Sequence, residues 1–561
     1  MTNRLLINRI LMSGLLALVS ATGQTVPGLS IKVDTFPMAA RPTPDGKFLL
    51  VLNAGVNPPS ISVIDIAAAK EMSRTPVPDA WLGLTVNKAG DRVYVGGATR
   101  SAVYEFSLAN GVLKPSRMFA AGDFIGDVQL APDGHLLYAA ALYKDAVIVI
   151  NPQSGLVLSR IKTGRRPYRI LFHPSGKKFY VSSWADGAVG IYDVNNGERL
   201  GNVRVGPHTT DMAWAPGPVE DQPAVAARLF VSASNTNSVY VLGAKEDGDL
   251  SRLESVNLAF APDQPLGTTP AGLGLSADGK KLFVACSGVD ATAVLDISGP
   301  HAFVAGFVPA GAYPTTAFGL PDGRVGALNG HSGTVLFAKV GDEKPQDPAH
   351  AADEPAYNGP IRHVIYIVGD LGEGQMWATA GIASDYTEKL WPSYAGHRRT
   401  IYDFEGQEPA NQPPAGYIWT AASQAGLSMR NYGFFVDNRK EAEADGTQIT
   451  GIRDPILAAV TDPNYRGPDS TYKDSERASE LIEELGDFDK SNKMPQLLLV
   501  RMSDEKAVQS VKDAVSKSRF AAETGIFVPT PATQLSMLRT IEIILGLHPM
   551  TVFDAAAKPV F

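Results

Sequence analysis

Residues 174–194 read PSGKKFYVSSWADGAVGIYDV. A turn containing glycine leads into an alternating apolar run, a polar turn follows, and a second alternating run ends the unit. Period-two alternation bounded by turn residues marks a pair of half-buried antiparallel strands. The same grammar stands upstream as PDGKFLLVLNAGVNPPSISVIDI from Pro44, KAGDRVYVGGATRSAVYEFSL from Lys88 and PDGHLLYAAALYKDAVIVI from Pro132. Downstream it returns as ADGKKLFVACSGVDATAVLDI from Ala277 and PDGRVGALNGHSGTVLFAKV from Pro321. The marker glycines Gly46, Gly90, Gly134, Gly176, Gly279 and Gly323 are separated by 44, 44, 42, 103 and 44 residues, and the 103 is two repeats. The copy inside that gap is ARLFVSASNTNSVYVLGA from Ala227, which lacks the glycine turn. The chain therefore carries seven units.

Each unit has a further strand upstream, such as DVQLAP, YRILFHP, DMAWAP or AGLGLSA. Strands at this density, repeating every 40 to 50 residues, describe propeller blades. A blade cannot bury both of its faces alone, so the ring must close. The expectation is a seven-bladed, all-β propeller over residues 30–342. The run Arg92-Val93-Tyr94-Val95 and the run Ser62-Val63-Ile64-Asp65 resemble the marks of the YVTN-type propeller family, over roughly residues 35 to 342. That resemblance implies a fold and leaves function open, because such rings serve as enzymes, cofactor holders and binding platforms.

The turns before the innermost strands should open towards one mouth of the central channel. They hold Asp79 and Trp81, Asp123 and Asp127, Arg165, Arg166 and Tyr168, His208 and Asp211, and Tyr313. Polar and aromatic groups converging there suit a small polar ligand or a protein or peptide segment. Arg165, Arg166, Tyr168, His208, Asp211 and Tyr313 are the candidate ligand-binding residues. The plainer expectation is that any propeller lines its wet channel with polar groups. His208 has no i+4 partner and no cysteine beside it, which is too little for a metal site. Cys286, inside LFVAC, reads as a core residue.

Composition sets the outer limits. The 561 residues include 50 Lys and Arg against 58 Asp and Glu, a net charge of −8, so no basic footprint for nucleic acid is present. A single cysteine excludes a disulfide framework. Arg4 and Arg9 precede an apolar run from Ile10 to Val19, followed by small residues through Gly23. This reads as a secretory signal over residues 1–23, so the mature protein is expected to be exported, periplasmic or extracellular, with no membrane span after cleavage.

From Gly341 the pattern stops, and the Pro-, Ala- and acid-rich residues 343–360 read as a solvated linker. A different grammar begins at Ile361. IRHVIYIV, MPQLLLVRM and ETGIFVPT are continuous apolar strands of the buried parallel type. Helical segments stand at 475–485, at 504–516 and in QLSMLRTIEIILGL. Strands alternating with helices predict an α/β domain over residues 361–561.

This part resembles the bacterial phosphoesterases that include phospholipase C-like and acid-phosphatase-like enzymes. The resemblance rests on IRHVIYIV, on WATAGIASDYTEKLWPSYAGHRRTIYDFEG from Trp377, on AGYIWTAASQAGLSMRNYGFF from Ala415 and on SMLRTIEIILGLHPMTVFDAAAKP from Ser536. It implies a truncated alkaline-phosphatase-like fold and, in working members, divalent metal ions held by acids, Asn and His from several strand ends. Asp370 falls where the family's first acid would stand, but Leu371 replaces the Asn that follows it. Glu373-Gly374-Gln375-Met376-Trp377 replaces the family's D-G-H-N-W, and Met502-Ser503-Asp504-Glu505 replaces its N-D-H. Only His363, His397 and His548 lie in this part, and His397 sits beside Arg398 and Arg399 in what reads as a surface stretch. Asp370 is then either a remnant metal ligand or a loop and helix-capping acid.

The expected function is an exported binding or scaffold protein whose phosphoesterase-like part has lost its metal site, with no catalytic residue and no cofactor. One alternative is an active metal-dependent phosphoesterase using a rearranged site around Asp370, Asp385, Asp403 and Glu405, since acids alone can hold Mg or Ca. The other is a propeller hydrolase of the lactonase kind acting at His208 and Asp211.

Overall fold

The computed structural model describes residues 26 and 28–561, except 218, 220–221, 262, 342, 344–355, 373, 400–402 and 404. The expected signal segment and most of the expected linker lie outside the described residues. The remainder divides into two compact units. One holds residues 20–349 together with Glu388–Tyr402, and the other is built from His350–Thr387 and Asp403–Phe561. The short stretch from Glu388 thus groups with the repeats and interrupts the expected domain from residue 361.

Seven four-stranded antiparallel sheets make the propeller. Blades one to six take their strands in chain order, over residues 37–76, 84–120, 125–162, 167–204, 209–257 and 270–309. The seventh combines Pro314–Gly319, Val325–Asn329 and Thr334–Ala338 with the distant strand Leu29–Lys32. That strand pairs Leu29 with Phe337 and Lys32 with Thr334, so the first strand among the described residues is the outer strand of the last blade. Hydrogen bonding between chain ends, added to apolar packing between blades, closes the ring.

The repeat's glycine has a local cause. In six blades the backbone N–H of the marker glycine donates to the carbonyl three residues earlier, from Gly46 to Thr43 and from Gly176 to His173, both at 2.9 Å. The six glycines have φ between 69° and 85°, a region that a side chain disfavours. Blade five has no such turn and joins Thr209–Pro216 to Ala227–Ala233 by a longer loop.

The other unit is built on a four-stranded parallel sheet in the order Met429–Tyr432, Leu497–Arg501, His363–Val368, Thr524–Phe527. Alternate residues of the central strands point to opposite faces. Val364, Tyr366, Val368, Leu497 and Leu499 pack with helix residues Ala378, Trp419 and Leu538. Ile365, Ile367, Leu498 and Val500 pack instead with Leu481, Leu485, Val508 and Val511. Burial on both faces explains the continuous apolar runs, because neither face leaves room for a polar alternation. Full burial of each such side chain contributes roughly 1.5–3 kcal/mol. Among the described residues no helix is long and apolar enough to cross a membrane.

Candidate functional site

The mouth of the propeller is built by equivalent turns. The residue just before the innermost strand is left-handed in five blades: Phe36, Arg166, His208, Thr269 and Tyr313 have φ between 50° and 56°. Their carbonyls accept from the residue just after the second strand of the same blade, as in Ala54 to Phe36 at 3.0 Å and Trp184 to Arg166 at 2.9 Å. In these five blades the residue before the innermost strand therefore occupies an equivalent position at one end of the ring. Aromatic rings gather there. Trp81 lies 5.6 Å from Phe124, 5.5 Å from Tyr168 and 5.7 Å from Trp184, centroid to centroid, and Phe124 lies 5.6 Å from Tyr143. Tyr313 stacks on His331 at 4.8 Å, and Phe36 stands 5.8 Å from Tyr313.

Residues 388–399 occupy this rim. Lys389 Nζ donates to the Tyr168 hydroxyl at 2.7 Å and sits 5.0 Å from the ring centroid, while Trp81 Nε1 donates to the Lys389 carbonyl at 3.0 Å. Arg398 Nε lies 2.9 Å from Asp79 Oδ1, and its Nη2 donates to the carbonyls of Gly55 at 2.7 Å and Ala54 at 3.2 Å. One guanidinium thereby ties blade one to blade two. Arg399 Nη1 donates to the Tyr143 hydroxyl at 2.6 Å, and its guanidinium lies 5.1 Å from the Tyr143 ring and 5.5 Å from that of Phe124. Glu388 Oε2 pairs with His331 Nε2 at 2.9 Å.

The two arginines reach these partners because of how the preceding helix ends. Helix Asp385–Ala395 stops with His397 left-handed at φ 58°, and the N–H groups of Arg398 and Arg399 donate back to the Ser393 carbonyl. His397 stays exposed, as its surface reading predicts, while the arginines turn inward. Burial pulls the Arg398 guanidinium below the usual arginine range, and Asp79 works against that shift. Asp79 also accepts from Thr99 N at 3.0 Å, from the Thr99 hydroxyl and from Ala80 N at 2.9 Å. It is a buried acceptor with a full set of donors.

The residues picked from sequence divide into four groups. Tyr168 and Tyr313 join the aromatic rim, with the Tyr313 N–H donating to Asp290 Oδ1 at 2.9 Å. Arg165 and Arg166 pair with acids from neighbouring turns, at 2.7 Å to Asp186 and 2.9 Å to Asp145. His208 is buried, 6.4 Å from Trp184, and its carbonyl accepts from Ser234 N. Asp211 belongs to a charge network between innermost strands. Arg169 bridges Asp211 at 2.8 Å and Asp127 at 3.1 Å, and each carboxylate accepts an N–H from the next blade, Leu273 and Ile170 respectively. Burial pushes the Asp211 carboxyl up, but Arg169 and the Leu273 N–H leave it below the usual range. Cys286 is fully buried and its thiol is pushed up to about 12 by burial.

Sequence reasoning missed Phe124, Tyr143, Trp184 and His331 on the rim, and Lys389, Arg398 and Arg399 on the occupant. Tyr143, Trp184 and His331 follow second strands, two turns away from the positions searched. The arginine pair was visible, but nothing local in it points to a partner some 320 residues earlier.

In the other unit, the ends of the parallel strands hold fewer converging groups. Asp370 follows strand His363–Val368, is exposed, and its N–H donates to Ser503 Oγ at 3.0 Å. Its Oδ1 accepts from Gly372 N at 3.4 Å, as a loop acid ahead of helix Gly374–Ala380 would. Arg501 donates to the Gly369 carbonyl at 2.8 Å, and its guanidinium lies 5.4 Å from the Phe434 ring. Asp403 accepts from Glu408 N and Asn411 Nδ2, and Glu405 pairs with Arg453 at 2.6 Å. These acids have separate partners and do not form a common ligand set. Among the described residues no group of three His, Cys, Asp or Glu side chains is placed to hold a metal ion.

No family model matches the sequence, and no curated protein matches it. Solved structures similar to it include a chain of Kuenenia stuttgartiensis hydrazine synthase, 19% identical with a TM-score of 0.45 over 57% of this chain and 99% of that one. Another is the Swd1 β-propeller domain of Myceliophteria thermophila, 11% identical with a TM-score of 0.46 over 56% of this chain and 100% of that one.

Proposed function

We propose that the chain is an exported binding or scaffold protein that works through its propeller mouth. In this reading the second unit is a shortened relative of the bacterial phosphoesterases, alkaline-phosphatase-like in fold, that has lost its metal site. The observation that carries the proposal is the rim itself: Trp81, Phe124, Tyr143 and Tyr168 pack into one aromatic cluster, and three cationic side chains are held at the rim, Lys389 on Tyr168, Arg399 on Tyr143 and Phe124, and Arg398 on the buried carboxylate of Asp79. A surface that combines aromatic faces with one desolvated acid is suited to holding a cationic ligand. At the sheet, Asp370 is engaged with Ser503 and Gly372.

The test is an assay of the purified protein on a generic aryl phosphate with Mg, Mn, Ca or Zn, together with its metal content. Expected are no turnover and no stoichiometric metal. Metal-dependent turnover that disappears in Asp370→Ala would overturn the reading in favour of an active phosphoesterase.

A further inference from the structure

We infer that the propeller mouth recognises peptide segments carrying adjacent arginines, and that residues 388–399 occupy this site in cis. The inference deepens the binding reading above and rests on it. Its basis is the division of labour between the two guanidinium groups. Arg398 meets a buried carboxylate and the blade-one carbonyls of Ala54, Gly55 and Asn57. Its Nη1 and Nη2 donate to those carbonyls while Nε faces the carboxylate at 2.9 Å, a spread over three nitrogens in one plane that an ammonium could not make. Arg399 meets ring faces and a phenol hydroxyl, which suits a cation kept partly wet. The two pockets are adjacent and chemically different, so they read the dipeptide and its direction.

Nearly every rim partner is supplied by the ring before the occupant arrives. Asp79 is held by Thr99 and Ala80, and the aromatic residues pack on one another. A preorganised site of this kind keeps its shape when its occupant is exchanged, and so takes the same chemistry in trans. The cis segment then acts as a competitor at high effective concentration. A partner with an arginine pair must displace it.

The probe is a fluorescein-labelled peptide of residues 388–402, added to full-length protein and followed by anisotropy. Arg398→Ala/Arg399→Ala, with circular dichroism and melting showing that it is folded, is expected to bind the peptide saturably and at least tenfold more tightly than wild type. Adding Asp79→Asn to that variant, or replacing both arginines of the peptide by alanine, is expected to abolish binding. Equal binding to wild type, or equal binding of the arginine-free peptide, overturns the inference. Should the double variant fail to fold, Arg399→Ala alone leaves the Asp79 pair in place. Its affinity should then lie above that of wild type, and an affinity equal to wild type overturns the inference. A protein that hydrolyses the aryl phosphate yet binds the peptide overturns only the proposed lack of catalysis. A silent protein that binds nothing overturns only this inference.

Discussion

The propeller mouth and the strand ends of the parallel sheet are both places where several elements finish side by side, yet only one of them concentrates chemistry. Around the ring, seven blades repeat one arrangement, and in five of them the same left-handed turn precedes the innermost strand, so what stands there is brought together by symmetry. At the sheet, four different strands end in a row, and convergence requires each loop to supply its own suitable residue. Asp370, Ser503, Arg501 and the neighbouring Glu405 are instead spent on local partners. A repeat assembles a site cheaply in sequence terms, whereas an α/β sheet has to specify one residue by residue.

The largest effect expected falls on the Asp79–Arg398 pair, a buried contact between the ring and its occupant. Arg398→Ala leaves a carboxylate buried without its counter-charge and should cost about 3–5 kcal/mol in urea unfolding. Asp79→Ala/Arg398→Ala should cost less than the two single changes added together. Strict additivity would show that the mouth does not depend on this pair, and the contrast with the sheet would weaken.

Glu542 tests the other side of the comparison. It is fully buried near Asp554, with Arg539 at 3.4 Å. Burial, followed by the Asp554 charge, pushes its carboxyl up to about 11 from 4.5. The folded chain therefore holds this proton where the unfolded chain has lost it. The stability gained is complete below 4.5 and is lost as pH rises towards 11, by at most about 1.4 kcal/mol per pH unit. Urea midpoints for Glu542→Gln at pH 5, 7 and 9 should show a flatter fall than wild type. An unchanged slope would mean that the carboxyl is ionised in the fold.

Arg399→Ala removes a cation from two ring faces and should lower stability by about 1 kcal/mol in urea unfolding. Smallest is Arg165→Ala. Its pair with Asp186 is half-exposed, so a change below about 0.5 kcal/mol is expected and peptide binding to the emptied mouth should be unaffected. A large loss of binding there would extend the site beyond the rim described.

The ring was legible because its signal is repeated: Gly46, Gly90, Gly134, Gly176, Gly279 and Gly323 each mark the same left-handed turn, and even the blade without one was visible by the gap it leaves. The strands of the second unit were legible for a related reason, since IYIV and LLLV are buried on both faces. Met429–Tyr432 was not singled out, because MRNY at the sheet edge carries no apolar run. Half of the mouth was legible, namely Asp79, Trp81, Tyr168 and Tyr313. The occupant was not. Its arginines contact residues hundreds of positions away, and no periodicity or local spacing encodes such a pairing.

The strand Leu29–Lys32 sets a timetable for the molecule. Its partner in blade seven is roughly 300 residues later, as the contact between Lys32 Nζ and the Ser332 carbonyl also shows. At about 5–20 residues per second of synthesis, the strand stands without its partner for about 15–60 seconds. During that time the last blade's edge does not yet exist, and the blades already made cannot close into a ring. Anything that meets the chain in this interval meets unpaired β-edges. Deleting residues 29–32 would leave the last blade with three strands and the edge of Thr334–Ala338 unpaired.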